Sequence, residues 1–94
     1  MTIEQHNTRT DGYFIAKDGD QELGRMYYSW AGIDKFVINH TEVKPESKGT
    51  GTGKALVEAG IKYARENNFK IVPVCAFAKA MFKKNMEEWK DVLI

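Results

Sequence analysis

Three glycines at alternate positions constrain the fold of this chain more than any other feature of its sequence. Gly49, Gly51 and Gly53 lie in the segment 48–54, which separates a β-prone stretch from a helical one. Glycine allows positive φ angles and lets another group approach the backbone closely. Unpaired N–H groups at the start of a helix form a concave surface that binds anions. The segment therefore predicts a strand, a tight loop and a helix, with a phosphate-sized anion at the turn.

The spacing of these glycines distinguishes the loop from two common phosphate-binding patterns. A P-loop has four residues between its glycines followed by Gly-Lys-Ser or Gly-Lys-Thr, and the dinucleotide fingerprint is Gly-x-Gly-x-x-Gly. Neither pattern has glycines at every second position, as this loop does. A flexible structural turn is the alternative to the predicted anion site, and a nucleotide phosphate of another kind is an alternative ligand for it.

The residues before the loop have the pattern of an antiparallel meander. The β-prone runs are 13–16, 23–30 and 36–43, and Asp18-Gly19-Asp20 predicts a hairpin turn after the first of them. If the third run is a strand, its successive side chains face opposite ways, which predicts two faces. We expect one face to hold Val37, Asn39, Thr41 and Val43, and the other to hold Phe36, Ile38, His40 and Glu42.

After the loop the apolar residues recur with helical spacing. Leu56, Val57, Ile61 and Ala64 form one face of a predicted helix over 53–67. A β-rich run follows at 69–74, then a short helix at 78–85, and a last helical turn with a strand at 86–94. A strand, a crossover helix and a second strand form a right-handed β-α-β unit with parallel strands. The predicted fold class is therefore α+β, with an antiparallel meander followed by one β-α-β unit.

Length and composition exclude several classes of protein. A chain of 94 residues fits a single domain over residues 1–94, and 43% hydrophobic residues argue against disorder. No apolar run reaches the roughly 18–20 residues of a membrane span, and no signal-peptide core precedes Asp11. Cys75 is the only cysteine, and no zinc-type cluster is present, so we expect no metal. We expect a cytoplasmic location and no membrane partner.

The net charge of +1 conceals a difference between the two halves of the chain. Residues 1–47 hold 5 Lys and Arg against 8 Asp and Glu, a balance of −3, whereas residues 48–94 hold 9 against 5, a balance of +4. The basic excess begins at the glycine loop, which is consistent with an anionic ligand there. An uneven scatter of solvated lysines is the alternative explanation. A nearly neutral chain argues against nucleic acid as the main partner.

Three motifs together with the glycine loop resemble the short, single-domain members of the GNAT N-acetyltransferases. They are Ile-Asn-His-Thr-Glu-Val at 38–43, Ala-Arg-Glu-Asn at 64–67 and Ile-Val-Pro-Val-Cys-Ala-Phe-Ala at 71–78. The loop is similar to the family pattern Arg/Gln-x-x-Gly-x-Gly/Ala, with Gly51 and Gly53 as its small residues. Lys48 departs from the Arg or Gln of that pattern. The resemblance covers roughly residues 10–90.

The resemblance implies a minimal GNAT fold in which two parallel strands splay apart and hold acetyl-coenzyme A between them. The pyrophosphate would bind the loop, and the pantetheine arm would bind the strand backbone near Thr41 and Val43. Lysines of the helix after the last strand would reach the phosphates, although a solvated helix face explains them equally well. The implied coenzyme-binding residues are Thr41, Val43, Lys48, Gly49, Thr50, Gly51, Thr52, Gly53, Lys54, Phe77, Lys79, Phe82 and Lys83, with Lys84 as a further candidate.

Three residues are candidates for the chemistry that this resemblance implies. Cys75 follows the last strand, where it could form an acetyl-cysteine or donate a proton to the leaving thiolate, although a lone cysteine is commonly inert. His40 and Glu42 leave the same face of their strand, so His40 could act as a base or as a partner of the thiol, with Glu42 orienting it. Structural roles are the alternative for both residues.

The implied activity is transfer of an acetyl group from acetyl-coenzyme A to an amine. A module that binds or senses coenzyme A without turnover is the alternative. Most GNAT enzymes have two helices after their first strand, whereas Asp18-Gly19-Asp20 leaves room only for a turn. We therefore expect an open acceptor side that suits an exposed protein or peptide amine, with a small metabolite as the alternative. The oligomeric state stays open, and a monomer is consistent with the sequence.

Overall fold

The computed structural model describes residues 1–94 and contains one five-stranded sheet with three helices. The strands are β1 (Thr2–Asn7), β2 (Asp11–Asp18), β3 (Gln21–Trp30), β4 (Lys35–Val43) and β5 (Lys70–Pro73). The helices are α1 (Thr52–Asn67), α2 (Ala76–Lys84) and α3 (Met86–Trp89), and a 3-10 turn covers Pro45–Ser47. No helix is both long enough and apolar enough to cross a membrane.

The strands lie in the sheet in the order in which they follow one another in the chain. β1 to β4 are antiparallel, and β5 pairs in parallel with β4 after the crossover through α1. The predicted α+β architecture, with a meander followed by a β-α-β unit, is confirmed. The hairpin turn between β2 and β3 is confirmed as well, with Gly19 at φ +61°.

β1 has no strand pattern in the sequence, because its residues are mostly polar and only Ile3 packs against the core. Pairing with β2 holds this strand in place. The Tyr28 hydroxyl adds two hydrogen bonds, because it accepts from Gln5 Nε2 at 2.9 Å and donates to Asn7 Oδ1. An edge strand of this kind depends on its neighbours rather than on its own β-propensity.

All three helices pack on one face of the sheet. The core cluster joins Phe14, Met26, Tyr28, Phe36 and Ile38 of the sheet with buried residues of each helix. Those helical residues include Leu56, Val57 and Ile61 of α1, Ala78 and Phe82 of α2, and Trp89 of α3. We call the opposite face of the sheet, which no helix covers, the open face.

A β-bulge at Asn39 corrects the predicted faces of β4. Ile38 pairs with Tyr28 and His40 pairs with Tyr27, so Asn39 is an extra residue in the ladder. An extra residue reverses the alternation beyond it. Phe36 and Ile38 face the core, whereas His40 and Glu42 face the open side, so the expectation that these four residues share a face is wrong.

Candidate functional site

A cleft of about 480 Å³ opens where β4 and β5 separate. The two strands pair as far as Ile38 and Pro73, and the N–H groups of Val74 and Cys75 both donate to the Ile38 carbonyl. Beyond that point β4 continues to Val43 with no strand on its β5 side. A proline suits the end of β5, because it has no N–H to leave unpaired there.

The cleft gathers residues from β4, from the glycine loop and from α2. Its lining consists of Thr41, Val43, Ser47, Lys48, Gly49, Gly51, Thr52, Gly53, Lys54, Phe77, Met81 and Lys84. Most of the residues that the resemblance implied as coenzyme contacts are in this set. Thr50 is an exception, because its hydroxyl bonds within the loop to the Ser47 carbonyl and to the Thr52 hydroxyl.

The loop leaves the start of α1 without a side-chain cap. Gly51, at φ +85°, is the residue before the first helical turn, and no side chain bonds to the N–H groups of that turn. A Cβ on Gly51 would meet no atom within 4 Å, so the space beside it is open toward the cleft. Gly53 differs, because a Cβ there would overlap the Phe77 ring. Free N–H groups, a positive helix end and open space together fit a phosphate group.

Three lysines add positive charge around the cleft, and helical spacing decides which residues of α2 take part. Lys48 and Lys54 flank the loop, and Lys84 follows Phe77 and Met81 on one stripe of α2. Lys79 and Lys83 do not line the cleft, so their expected contact with the coenzyme is not supported.

Phe82 requires a correction, because it lies in the core and not in the cleft. Its side chain is buried and packs against Trp89 with the ring centroids 5.4 Å apart. Phe82 follows Phe77 by five positions in the helix, which places the two rings on different sides of α2.

Cys75 does not line the cleft, but it lies behind Thr41, which does, and it caps the N-terminus of α2. Its Sγ accepts a hydrogen bond from the Ala78 N–H at 3.4 Å and lies 3.6 Å from Thr41 Oγ1 across the opening between the strands. Cys75 is half-buried. The sulfur is therefore held by two polar partners, one from each side of the cleft.

His40 and Glu42 lie on the open face and pair with each other rather than with Cys75. His40 Nε2 is 3.1 Å from Glu42 Oε1, and the His40 ring stacks near Tyr27 with centroids 6.2 Å apart. The bulge at Asn39 causes this, because it turns His40 away from the face that carries Thr41. The structure thus separates the thiol from the imidazole, and the expected His40–Cys75 partnership is not supported.

Sequence reasoning missed two residues of the cleft, Ser47 and Met81. Ser47 ends the 3-10 turn after β4, and its carbonyl accepts from the Thr50 N–H and hydroxyl, so it shapes the loop. The position of Met81 four residues after Phe77 was the available signal, because residues at that spacing share a helix face.

The splayed strand pair and the uncapped glycine loop define an α+β protein of the acyltransferase class. The sequence model for the GCN5-related N-acetyl-transferases matches residues 12–92. The chain therefore belongs to this family of acyltransferase enzymes.

Solved structures support the same assignment. A GCN5-like protein from Staphylococcus aureus is 34% identical, with a TM-score of 0.71 over 97% of this chain and 87% of that one. A ribosomal-protein-alanine N-acetyltransferase from Brucella melitensis biovar Abortus 2308 is 18% identical, with a TM-score of 0.69 over 82% and 62%. A predicted acetyltransferase from Clostridium acetobutylicum, crystallised with acetyl-CoA, is 20% identical, with a TM-score of 0.65 over 81% and 56%. The last two share the fold alone. A comparison with curated proteins found no match.

Proposed function

We propose that the protein transfers an acetyl group from acetyl-coenzyme A to an amine acceptor. The observation that carries the proposal is the order of groups along the cleft. An anion-binding loop lies at one end, the unpaired edge of β4 runs along the middle, and Cys75 lies beyond that edge, against Thr41. Acetyl-coenzyme A has its phosphates, amide-bearing arm and thioester in the same order. The structure with acetyl-CoA bound among the similar folds supports this choice of substrate.

The residues present fit this substrate at each position. The N–H groups after Gly51 and the charges of Lys48, Lys54 and Lys84 suit a pyrophosphate. The free edge of β4 from Asn39 to Val43 offers backbone groups to the amides of the pantetheine arm, as a neighbouring strand would use them. The Phe77 ring, which lies over Gly53, gives the middle of the cleft an apolar wall.

The reaction exchanges one bond to the acetyl carbon for another. The neutral amine attacks the thioester carbonyl, a C–N bond forms, the C–S bond breaks, and coenzyme A leaves as a thiolate. One amine proton must be removed and one proton ends on the thiolate. His40, oriented by Glu42 on the open face, is our candidate for the group that takes the amine proton.

Two roles for Cys75 fit its position next to Thr41, which lines the cleft. As a nucleophile it would carry the acetyl group as a thioester before the amine receives it, and as an acid it would protonate the leaving thiolate. Incubation with acetyl-coenzyme A followed by intact-mass measurement separates them, because only the first adds 42 Da, the mass of an acetyl group, to Cys75. If no adduct forms and Cys75→Ala transfers acetyl groups as fast as the parent, neither role stands.

The proposed function is tested by binding and turnover measured on the same protein. We expect calorimetry to show coenzyme A binding more tightly than ATP, and a panel of amines to release free coenzyme A thiol together with an acetylated product. Binding without acetylation of any amine would favour the coenzyme A-binding module instead. Tighter binding of ATP would contradict the assignment of the cleft to acetyl-coenzyme A.

A further inference from the structure

Four aromatic rings form one row across the open face of the sheet. His6, Tyr13, Tyr27 and His40 are successive cross-strand partners on β1, β2, β3 and β4. The distance between ring centroids is 4.9 Å for His6 and Tyr13, 5.9 Å for Tyr13 and Tyr27, and 6.2 Å for Tyr27 and His40. Four neighbouring strands place the ends of this ring row roughly 14 Å apart, about the length of four extended residues.

Carboxylates stand beside both ends of the ring row. The neighbouring row of partners on the same face is Glu4, Ile15, Arg25 and Glu42. His6 Nε2 is 3.5 Å from Glu4 Oε1, and His40 and Glu42 repeat this pairing at the other end. The strands that carry the ring row belong to the acidic half of the chain, residues 1–47, whose balance is −3. Lys17 Nζ lies 3.4 Å from Glu4 Oε1, so a lysine of the protein already pairs with that carboxylate. The open face thus offers π-faces together with Glu42 at the β4 end, whose ion-pair partner is His40.

The ring row already holds a cation within the protein. The Arg25 guanidinium lies over the Tyr13 ring, 4.6 Å from its centroid. Glu22 holds the same arginine through two hydrogen bonds of 3.0 Å, and this contact lowers the pKa of the Glu22 carboxyl. Aromatic faces attract lysine and arginine side chains in this way. Tyr27 and His40 have no cation over them and lie at the β4 end of the row.

The open face connects with the coenzyme cleft around the free edge of β4. A groove of about 430 Å³ contains Glu22 and Glu42 of the open face and shares Thr41, Val43 and Lys48 with the cleft. Lys44 is the further cation of this groove. A flat face suits a polymer better than a small molecule, because small-molecule sites are concave and enclose their ligand. Acidic groups disfavour a nucleic acid on this face.

We propose that the open face is the docking surface for the acceptor, and that the acceptor is a lysine-bearing basic peptide segment. The segment crosses the ring row, one of its cationic side chains lies over the Tyr27 ring, which no cation of the protein covers, and its reactive lysine reaches the β4 end beside His40. This inference rests on the proposed acetyl transfer, and it adds the chemical class of the acceptor and the residues that select it.

Peptide binding tests this inference without any acetyl transfer. Two fluorescein-labelled, N-terminally blocked octapeptides each carry one lysine, flanked by arginines in the first and by glutamates in the second. Fluorescence anisotropy without coenzyme measures their binding. We expect the basic peptide to bind at least ten-fold more tightly than the acidic one, and this preference to shrink at high salt.

Variants of the ring row test the site of docking. Tyr27→Leu should weaken basic-peptide binding about three- to five-fold, the contribution expected of one cation over an aromatic ring. Tyr27→Phe keeps the aromatic face and should keep the affinity. Ile33→Ser in the β3–β4 turn, where the side chain is 93% exposed, is the control away from the ring row. Calorimetry with coenzyme A should give the same affinity for every variant.

Each outcome bears on the inference or on the proposed function separately. Three results would overturn the docking proposal. The two peptides could bind equally well, an RNA octamer could bind more tightly than the basic peptide, or the protein could form a dimer that Tyr27→Leu dissociates. Tyr27→Leu could weaken binding of the basic peptide as expected while the parent protein fails to acetylate its lysine. This result would uphold the docking surface and overturn the proposed acetyl transfer. Acetylation of both peptides at equal rates would uphold the transfer and overturn the selection of basic segments.

Discussion

At the scale of single residues, two neighbouring lysines of α2 provide a matched pair for testing the coenzyme cleft. Lys84 lines the cleft and Lys83 does not, although both are exposed and both lie in the last turn of the helix. Lys84→Ala should weaken coenzyme A binding about five-fold, the upper end of what an exposed ion pair contributes. Lys83→Ala should change it less than two-fold, as measured by calorimetry at low ionic strength.

The salt dependence of this pair is its internal control. Screening reduces the contribution of an exposed charge, so the difference between Lys84→Ala and the parent protein should shrink at 1 M salt. Equal losses of affinity in the two variants would mean that the helix contributes only a general positive field. In that case, the cleft residues of α2 would not include a phosphate contact.

Gly49, Gly51 and Gly53, which the sequence suggests as coenzyme contacts, all line the cleft. Gly49 and Gly51 have positive φ angles, a conformation that the alternating glycines of the loop already indicate. The contacts of Phe82 and Lys83 were not predictable in this way. They depend on which stripe of α2 faces the core, and the packing of Phe82 against Trp89 decides that.

At the scale of whole elements, Asn68 controls how α1 ends. This residue follows Asn67 with φ 59° and ψ 38°, the left-handed conformation, and its N–H donates to the Ala64 carbonyl. Glycine adopts this conformation without strain, whereas alanine does not. Asn68→Ala should lower the free energy of unfolding by about 1 kcal/mol, and Asn68→Gly should leave it unchanged or raise it slightly.

Urea unfolding monitored by circular dichroism measures both Asn68 variants. The slope of the transition should stay constant, because neither variant changes the surface that unfolding exposes. A destabilisation of equal size in Asn68→Ala and Asn68→Gly would contradict the role assigned to the left-handed backbone. It would point instead to a contact made by the asparagine side chain.

The bulge in β4 shows what a sequence pattern could not predict about an element. Three apolar residues at 36–38 are followed by four polar ones at 39–42, so the run does not define two faces and does not show that Asn39 is an extra residue. The bulge depends on the register with β3, where Tyr27 and Tyr28 face His40 and Ile38. Register is a property of two strands together, and for this reason the separation of His40 from Cys75 became visible only in the structure.

At the scale of the whole molecule, Tyr28 joins the edge strand to the core and makes stability depend on pH. Burial raises the pKa of its phenol above the ordinary value of 10.0, with a smaller opposing effect from the Gln5 hydrogen bond. The folded protein therefore keeps the phenolic proton to higher pH than the unfolded chain does. The stabilisation from this group is complete below about pH 10 and is lost as the pH rises through the raised pKa.

Tyr28→Phe should separate this contribution from every other titration. At pH 7 the variant loses the hydrogen bonds to Gln5 and Asn7, and we expect its free energy of unfolding to fall by about 1 kcal/mol. Above pH 10 the parent protein should lose stability more steeply than the variant, because only the parent has this phenol, whereas lysine titration is common to both. Urea midpoints measured from pH 7 to 11 should therefore converge. If the two plots of urea midpoint against pH stay parallel, the Tyr28 phenol has the same pKa in the folded and unfolded chains. Burial of Tyr28 would then not make the attachment of β1 to the core depend on pH.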